Sequence, residues 1–139
     1  MYEKPQLGVG QVQAAMSAML DQASKEPNRP VAISIVDDQG NLLAYARMDN
    51  CRVIPQQIAT KKAYTSAING VDSLLYAQRL KSQGRSVTEL QNPNLVAVQG
   101  GIVVLQPSSG AILGGIGVSG LSAQEDEDLA RIGLRALDL

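Results

Sequence analysis

The sequence predicts a mixed α/β domain in which helices pack on an antiparallel sheet. Three observations lead there. Apolar residues recur at helical spacing at both ends and in the middle of the chain. Short β-rich runs lie between these stretches and are joined by glycine-containing turns too short for a parallel crossover. With 139 residues, 45% of them hydrophobic, the chain is long enough for one core and too short for two, so residues 1–139 are expected to form a single domain.

Taken in order, Val12, Ala15, Met16, Met19, Leu20 and Ala23 predict an amphipathic helix from about Val9 to Lys25, ended by Pro27-Asn28. Val31–Val36 reads as a mostly buried strand. Asp37–Asn41 is turn chemistry, since Gly40 tolerates positive φ and the aspartates cap turns, and Leu42–Arg47 is then the return strand of a hairpin. After a loop, Pro55–Ile68 reads as a helix whose inner face is Ile54, Ile58, Ala59, Ala63 and Ala67, stopped by Asn69-Gly70. A shorter helix over Asp72–Ser82 and a long connection, Gly84–Pro93, follow. Leu95–Val98, Gly101–Leu105 and Ala111–Val118 read as three further strands, the last two joined by a turn at Pro107–Gly110. Ser122–Glu125 is a capping box that opens a final helix running to about Ala136. The order α-β-β-α-α-β-β-β-α therefore describes five antiparallel strands with helices packed on them.

Composition narrows the function. The balance of 12 basic and 13 acidic residues, with no basic stripe, argues against nucleic acid as a partner. No apolar run approaches a membrane span, and MYEKPQLG lacks the pattern of a signal peptide, so no membrane and a cytoplasmic location are expected. Cys51 is the single cysteine, which rules out an internal disulfide. The chain has no histidine. That excludes a histidine base, a histidine-based zinc site and a histidine-ligated haem supplied by this chain, and no metal site is expected. The only aromatic residues are 4 tyrosines, too few for a stacking platform.

Gly115-Ile116-Gly117-Val118-Ser119-Gly120 is a literal G-x-G-x-x-G, but a dinucleotide site also needs a following parallel strand and a later acid. Too little chain remains for either. Gly100, Gly101, Gly114, Gly115 and Gly117 instead lie in or beside strands. They suit a sheet face left bare for a flat ligand, or equally one packed tightly by a helix or another subunit. Glu125, Asp126 and Asp128 crowd the start of the last helix, where they complement its dipole and repel a phosphate. Arg47 at a strand end can clamp a carboxylate, with Lys61 and Lys62 adding charge and Tyr64 a polar edge; surface ion pairs and core packing are the plain alternatives.

The blocks Val31–Asp37 with Gly40, Ala46-Arg47-Met48-Asp49, Lys61-Lys62-Ala63-Tyr64-Thr65, Gly100-Gly101 and Gly114–Gly120 with Glu125-Asp126 and Asp128 occur in that order. In this the chain resembles the GlcG/HbpS-like family, which includes the C-terminal domain of PduO-type proteins. The likeness runs from about Leu7 to Ala136. It implies a profilin-like fold, a five-stranded antiparallel sheet between helices in three α/β/α layers. It also implies homo-oligomers, from dimers up to octamers, and in some relatives the binding of haem. Relatives usually carry a proline after the paired glycines, where this chain has Ile102-Val103. Without a histidine, the remaining axial candidates for haem are Tyr45, Tyr64, Met48, Cys51 and the lysines.

The expected function is thus an oligomeric small-ligand-binding protein rather than an enzyme. Its ligand would be haem, a corrinoid or a carboxylate-bearing metabolite, held by Arg47, Lys61, Lys62, Tyr64 and the strand glycines. The alternatives are a histidine-free enzyme using Asp49, Glu125, Asp126 or a lysine for proton transfer, and a structural subunit that binds nothing. A buried carboxylate lining a pocket would favour the enzyme.

Overall fold

A computed structural model describes residues 1–139. Four helices, α1 (Val9–Ala23), α2 (Val53–Asn69), α3 (Ser73–Ser82) and α4 (Ala123–Ala136), surround four strands, β1 (Ala32–Asp37), β2 (Leu42–Arg47), β3 (Gly101–Leu105) and β4 (Ile112–Ser119). The sheet order is β2-β1-β4-β3 and every pairing is antiparallel. α1 and α4 pack together on one face, and α2 lies across β1, β3 and β4 on the other, which makes three layers. No helix is long and apolar enough to cross a membrane.

The alternation of β1 divides the core. Val31, Ile33 and Ile35 join Val12, Met19, Leu129 and Val118 on the α1/α4 side. Ala32 and Val36 meet the alanines of α2 on the other. Asp37 holds the β1–β2 turn by accepting from the N–H groups of Gln39 and Asn41, both at 2.9 Å, and Gly40 takes a φ of 83°.

The sheet has four strands where the sequence predicts five. Leu95–Val98 does not pair in it; this segment runs along α2, where the Val96 N–H donates to Thr65 Oγ1 at 2.9 Å. The place beside β3 is already taken. The Ser73 hydroxyl accepts from the Gly101 N–H at 2.9 Å and donates to the Gly101 carbonyl at 3.3 Å, while Asp72 accepts from the Val103 N–H at 3.0 Å. The two residues that begin α3 thus do the work of a neighbouring strand. By contrast, no backbone–backbone hydrogen bond from another element reaches the outer side of β2, so one edge of the sheet is partly covered and the other is open.

Asp72 also accepts from Arg131 of α4 at 2.7 Å. Asp72→Ala strands a half-buried strand N–H and leaves the Arg131 guanidinium with Glu127 alone, at 3.5 Å. We expect it to cost about 1–3 kcal/mol in urea denaturation, with faster amide exchange at Val103.

Candidate functional site

The spacing of α2 brings a charged side chain into the interior. Its buried residues are Pro55, Ala59, Lys62, Ala63, Thr65, Ser66 and Ala67. Ile54, expected on the inner face, is 71% exposed, and Ile58 is only half-buried. The reason lies in the opposite surface. A Cβ on Gly101, Gly115 or Gly117 would collide with the backbone carbonyl of Lys62, Ala63 or Ala59 respectively. Helix and sheet touch backbone to backbone, so only small residues fit along the contact, and the isoleucines are turned out to its flank. The strand glycines therefore do not leave a bare face for a flat ligand. They admit α2, while Gly114 is tight against the Val36 carbonyl of β1.

Lys62 lies at the edge of this contact with a side chain only 2% exposed. Its ammonium runs past the end of β4, donating to the Val118 carbonyl at 2.8 Å and to Asp126 Oδ2 at 3.0 Å. The Asp126 side chain is 4% exposed, and its Oδ1 accepts from the Leu121 N–H at 2.9 Å. Burial pushes the Asp126 carboxyl above the usual carboxylate range, and the Lys62 charge opposes that rise. Gly100 and Gly120 flank the pair with φ of 124° and 135°, values side-chain-bearing residues rarely adopt. A Cβ on Gly100 would come within 2.6 Å of Lys62 Nζ.

The pair lies at a cleft of about 450 Å³. Ile54, Ile58, Val98 and Leu121 give it apolar walls, and Ser119 and Gly120 contribute to its lining. Arg52, also in the lining, is exposed and has no carboxylate within ion-pair distance. The cleft thus combines an unneutralised cation, a hydrocarbon surface and a buried acid–ammonium pair.

Other residues singled out from the sequence are scattered. Arg47 is exposed and its guanidinium donates to the Gln56 side chain. Lys61 lines a separate groove under residues 87–96, and Tyr64 is bonded there to Asn92 at 3.1 Å. Asp49 is exposed. Glu125 forms the capping box with Ser122 and a two-pronged bond to Arg29 at 2.7 and 2.8 Å, and these partners hold its carboxyl down at about 2. It is a helix-start residue, while its neighbour Asp126 is the buried one. The sequence reading missed Arg52, and it missed that Lys62 and Asp126 are partners. A helical wheel carries part of the signal, because Lys62 falls in register with Ala59, Ala63 and Ser66 on the small-residue face.

Comparison with known proteins gives a consistent picture. The family described as "Haem degrading protein HbpS-like" matches residues 7–135. Protein GlcG of Escherichia coli K12 is 33% identical over 109 residues, covering 78% of each chain. Corrinoid adenosyltransferase PduO of Citrobacter freundii is 28% identical over 118 residues, covering 84% of this chain and 35% of PduO. A crystal structure of a double mutant of HbpS from Streptomyces reticuli superposes with a TM-score of 0.86 at 28% identity, over 99% of this chain and 90% of that one. PduOC in its haem complex shares the fold, with a TM-score of 0.83 at 24% identity and 95% of both chains covered.

Proposed function

The chain belongs to the HbpS-like family, and from that premise we propose that it is a homo-oligomeric binding protein for a small carboxylate-bearing ligand held in the cleft over Lys62 and Asp126. The observation that carries the reading is Arg52. It is an arginine without an acidic partner on the rim of a cleft with apolar walls above a buried ion pair. A guanidinium in that position suits two parallel hydrogen bonds to a carboxylate, and the hydrocarbon wall suits the rest of a small molecule.

In this cleft, none of Met48, Cys51, Tyr45, Tyr64 and Lys62 is free to serve as an axial haem ligand. Met48 Sδ accepts from the Val31 N–H at 3.4 Å, and the Cys51 thiol is buried, its pKa pushed up by burial and away from thiolate. Tyr45 donates to the Gln56 carbonyl at 2.9 Å, Tyr64 is bonded to Asn92, and Lys62 is held by Asp126. Of these, only Lys62 lines the cleft.

Self-association is supported by the bare β2 edge and by the exposed Leu42, Leu43, Tyr45, Val53 and Ile54. Isothermal titration of the purified chain with short mono- and dicarboxylates tests the ligand, and native mass spectrometry tests the assembly. Arg52→Ala, at an exposed position, should leave the fold intact and weaken carboxylate binding about tenfold or more, the worth of a charge-assisted hydrogen bond. Unchanged affinity removes Arg52 from the site.

A further inference from the structure

We propose that Lys62 and Asp126 are a proton-transfer pair and that the cleft enolises small 2-oxo carboxylates. The proposal rests on the ligand-binding reading above and adds chemistry to it.

Its basis is a buried acid–ammonium pair that lines a cleft. An ammonium has three donors, and Lys62 uses two, on the Val118 carbonyl and on Asp126. A carboxylate offers about four acceptor positions, and Asp126 fills two, from Lys62 and from the Leu121 N–H. The two side chains are 2% and 4% exposed, and both line the cleft. A tie between α2 and α4 alone does not require a charged pair, since apolar residues of similar volume join helices at least as well. Nor does it require Gly100, whose missing Cβ makes the room next to Lys62 Nζ.

The chemistry follows from the groups. The ligand carboxylate pairs with Arg52, and its 2-oxo oxygen takes the remaining N–H of Lys62. The Asp126 carboxylate removes a proton from C3. The C–H electron pair becomes the C2=C3 bond, and the carbonyl π pair moves onto oxygen, where the Lys62 ammonium stabilises the enolate. The protonated Asp126 exchanges with solvent and returns a solvent-derived proton to C3, which closes the cycle, and no oxidant or cofactor is consumed. Burial, which raises the Asp126 carboxyl, makes it a stronger base than a solvated aspartate. The apolar walls accommodate a short alkyl group beyond C3.

The test is proton exchange in D₂O with 2-oxobutanoate as probe, followed by loss of its C3–H signal in proton NMR, with binding measured separately by titration. The full chain should exchange the C3 protons about a hundredfold faster than buffer. Asp126→Asn should return the rate to that of buffer. Arg52→Ala, which lies outside the core, should raise KM about tenfold with kcat little changed. If 2-oxobutanoate binds but exchanges at the buffer rate, the pair is structural and the proposal is overturned while the binding function stands. If neither 2-oxobutanoate nor any other short carboxylate binds, both fall. A folded Asp126→Asn variant that exchanges at the wild-type rate also overturns the proposal. The wild-type measurement decides the matter even where a core variant fails to fold.

Discussion

Lys62→Met alone should cost about 3–5 kcal/mol of stability, and adding Asp126→Leu should recover most of that loss. The single change leaves Asp126 buried with only the Leu121 N–H for company, and a lone buried carboxylate is among the most expensive groups a fold can hold. The double change replaces the pair by hydrocarbon, which needs no partner. The single variant should also respond to pH in a defined direction. Burial already raises the Asp126 carboxyl, and without the opposing lysine it rises further. Between the unfolded and the folded pKa the native state then binds more protons than the unfolded state. Stability therefore falls as pH rises through that interval and is greatest below the unfolded value of about 3.9. Urea midpoints measured from pH 3.5 to 7 should show the gap between Lys62→Met and wild type widening with pH. A gap constant over that range would show that Asp126 is not the uncompensated charge.

Gly117→Ala carries the second large effect, about 3 kcal/mol of destabilisation by overpacking. The added methyl meets the Ala59 carbonyl and lies 2.6 Å from the Ala63 nitrogen, both of them main-chain atoms of α2. A flexible side chain could rotate aside, whereas a helix backbone moves only as a whole. α2 must lift, and it takes Lys62 with it. Guanidinium denaturation should report the loss, and limited proteolysis should show easier cutting near α2. An alanine tolerated there with wild-type stability would mean that the helix does not rest on the strand as closely as described.

Much of the fold was legible because it is written in local terms. The amphipathic stripe of α1, the Asp37–Asn41 turn, the Asn69-Gly70 stop and the Ser122 capping box each need only a few adjacent residues, and all are present. Leu95–Val98 was misread because its apolar run is real but its partner is not a strand. Whether such a run joins a sheet depends on a free edge, and Asp72 and Ser73, more than twenty residues earlier, occupy that edge. The glycines of β3 and β4 were recognised as a close approach, but a glycine does not name what approaches. The inner face of α2 was misassigned for the same reason. Hydrophobicity ranks isoleucine above lysine, whereas contact with a glycine surface selects for size, and Lys62 escapes along the edge to an acid 64 positions away. That pairing has no local signature, so the site was less legible than the fold around it.

The unequal edges of the sheet set a limit on growth. Indefinite strand addition, the route to fibres, needs two receptive edges on every molecule. The two edges of this chain differ, because Asp72 and Ser73 occupy Gly101 and the Val103 N–H of β3 while β2 stays open. Two copies meeting through β2 about a twofold axis would present outward only β3 edges whose first half is already occupied, which disfavours further strand addition. The first residues of a surface helix thus act as a partial terminator, disfavouring any such addition beyond a single step.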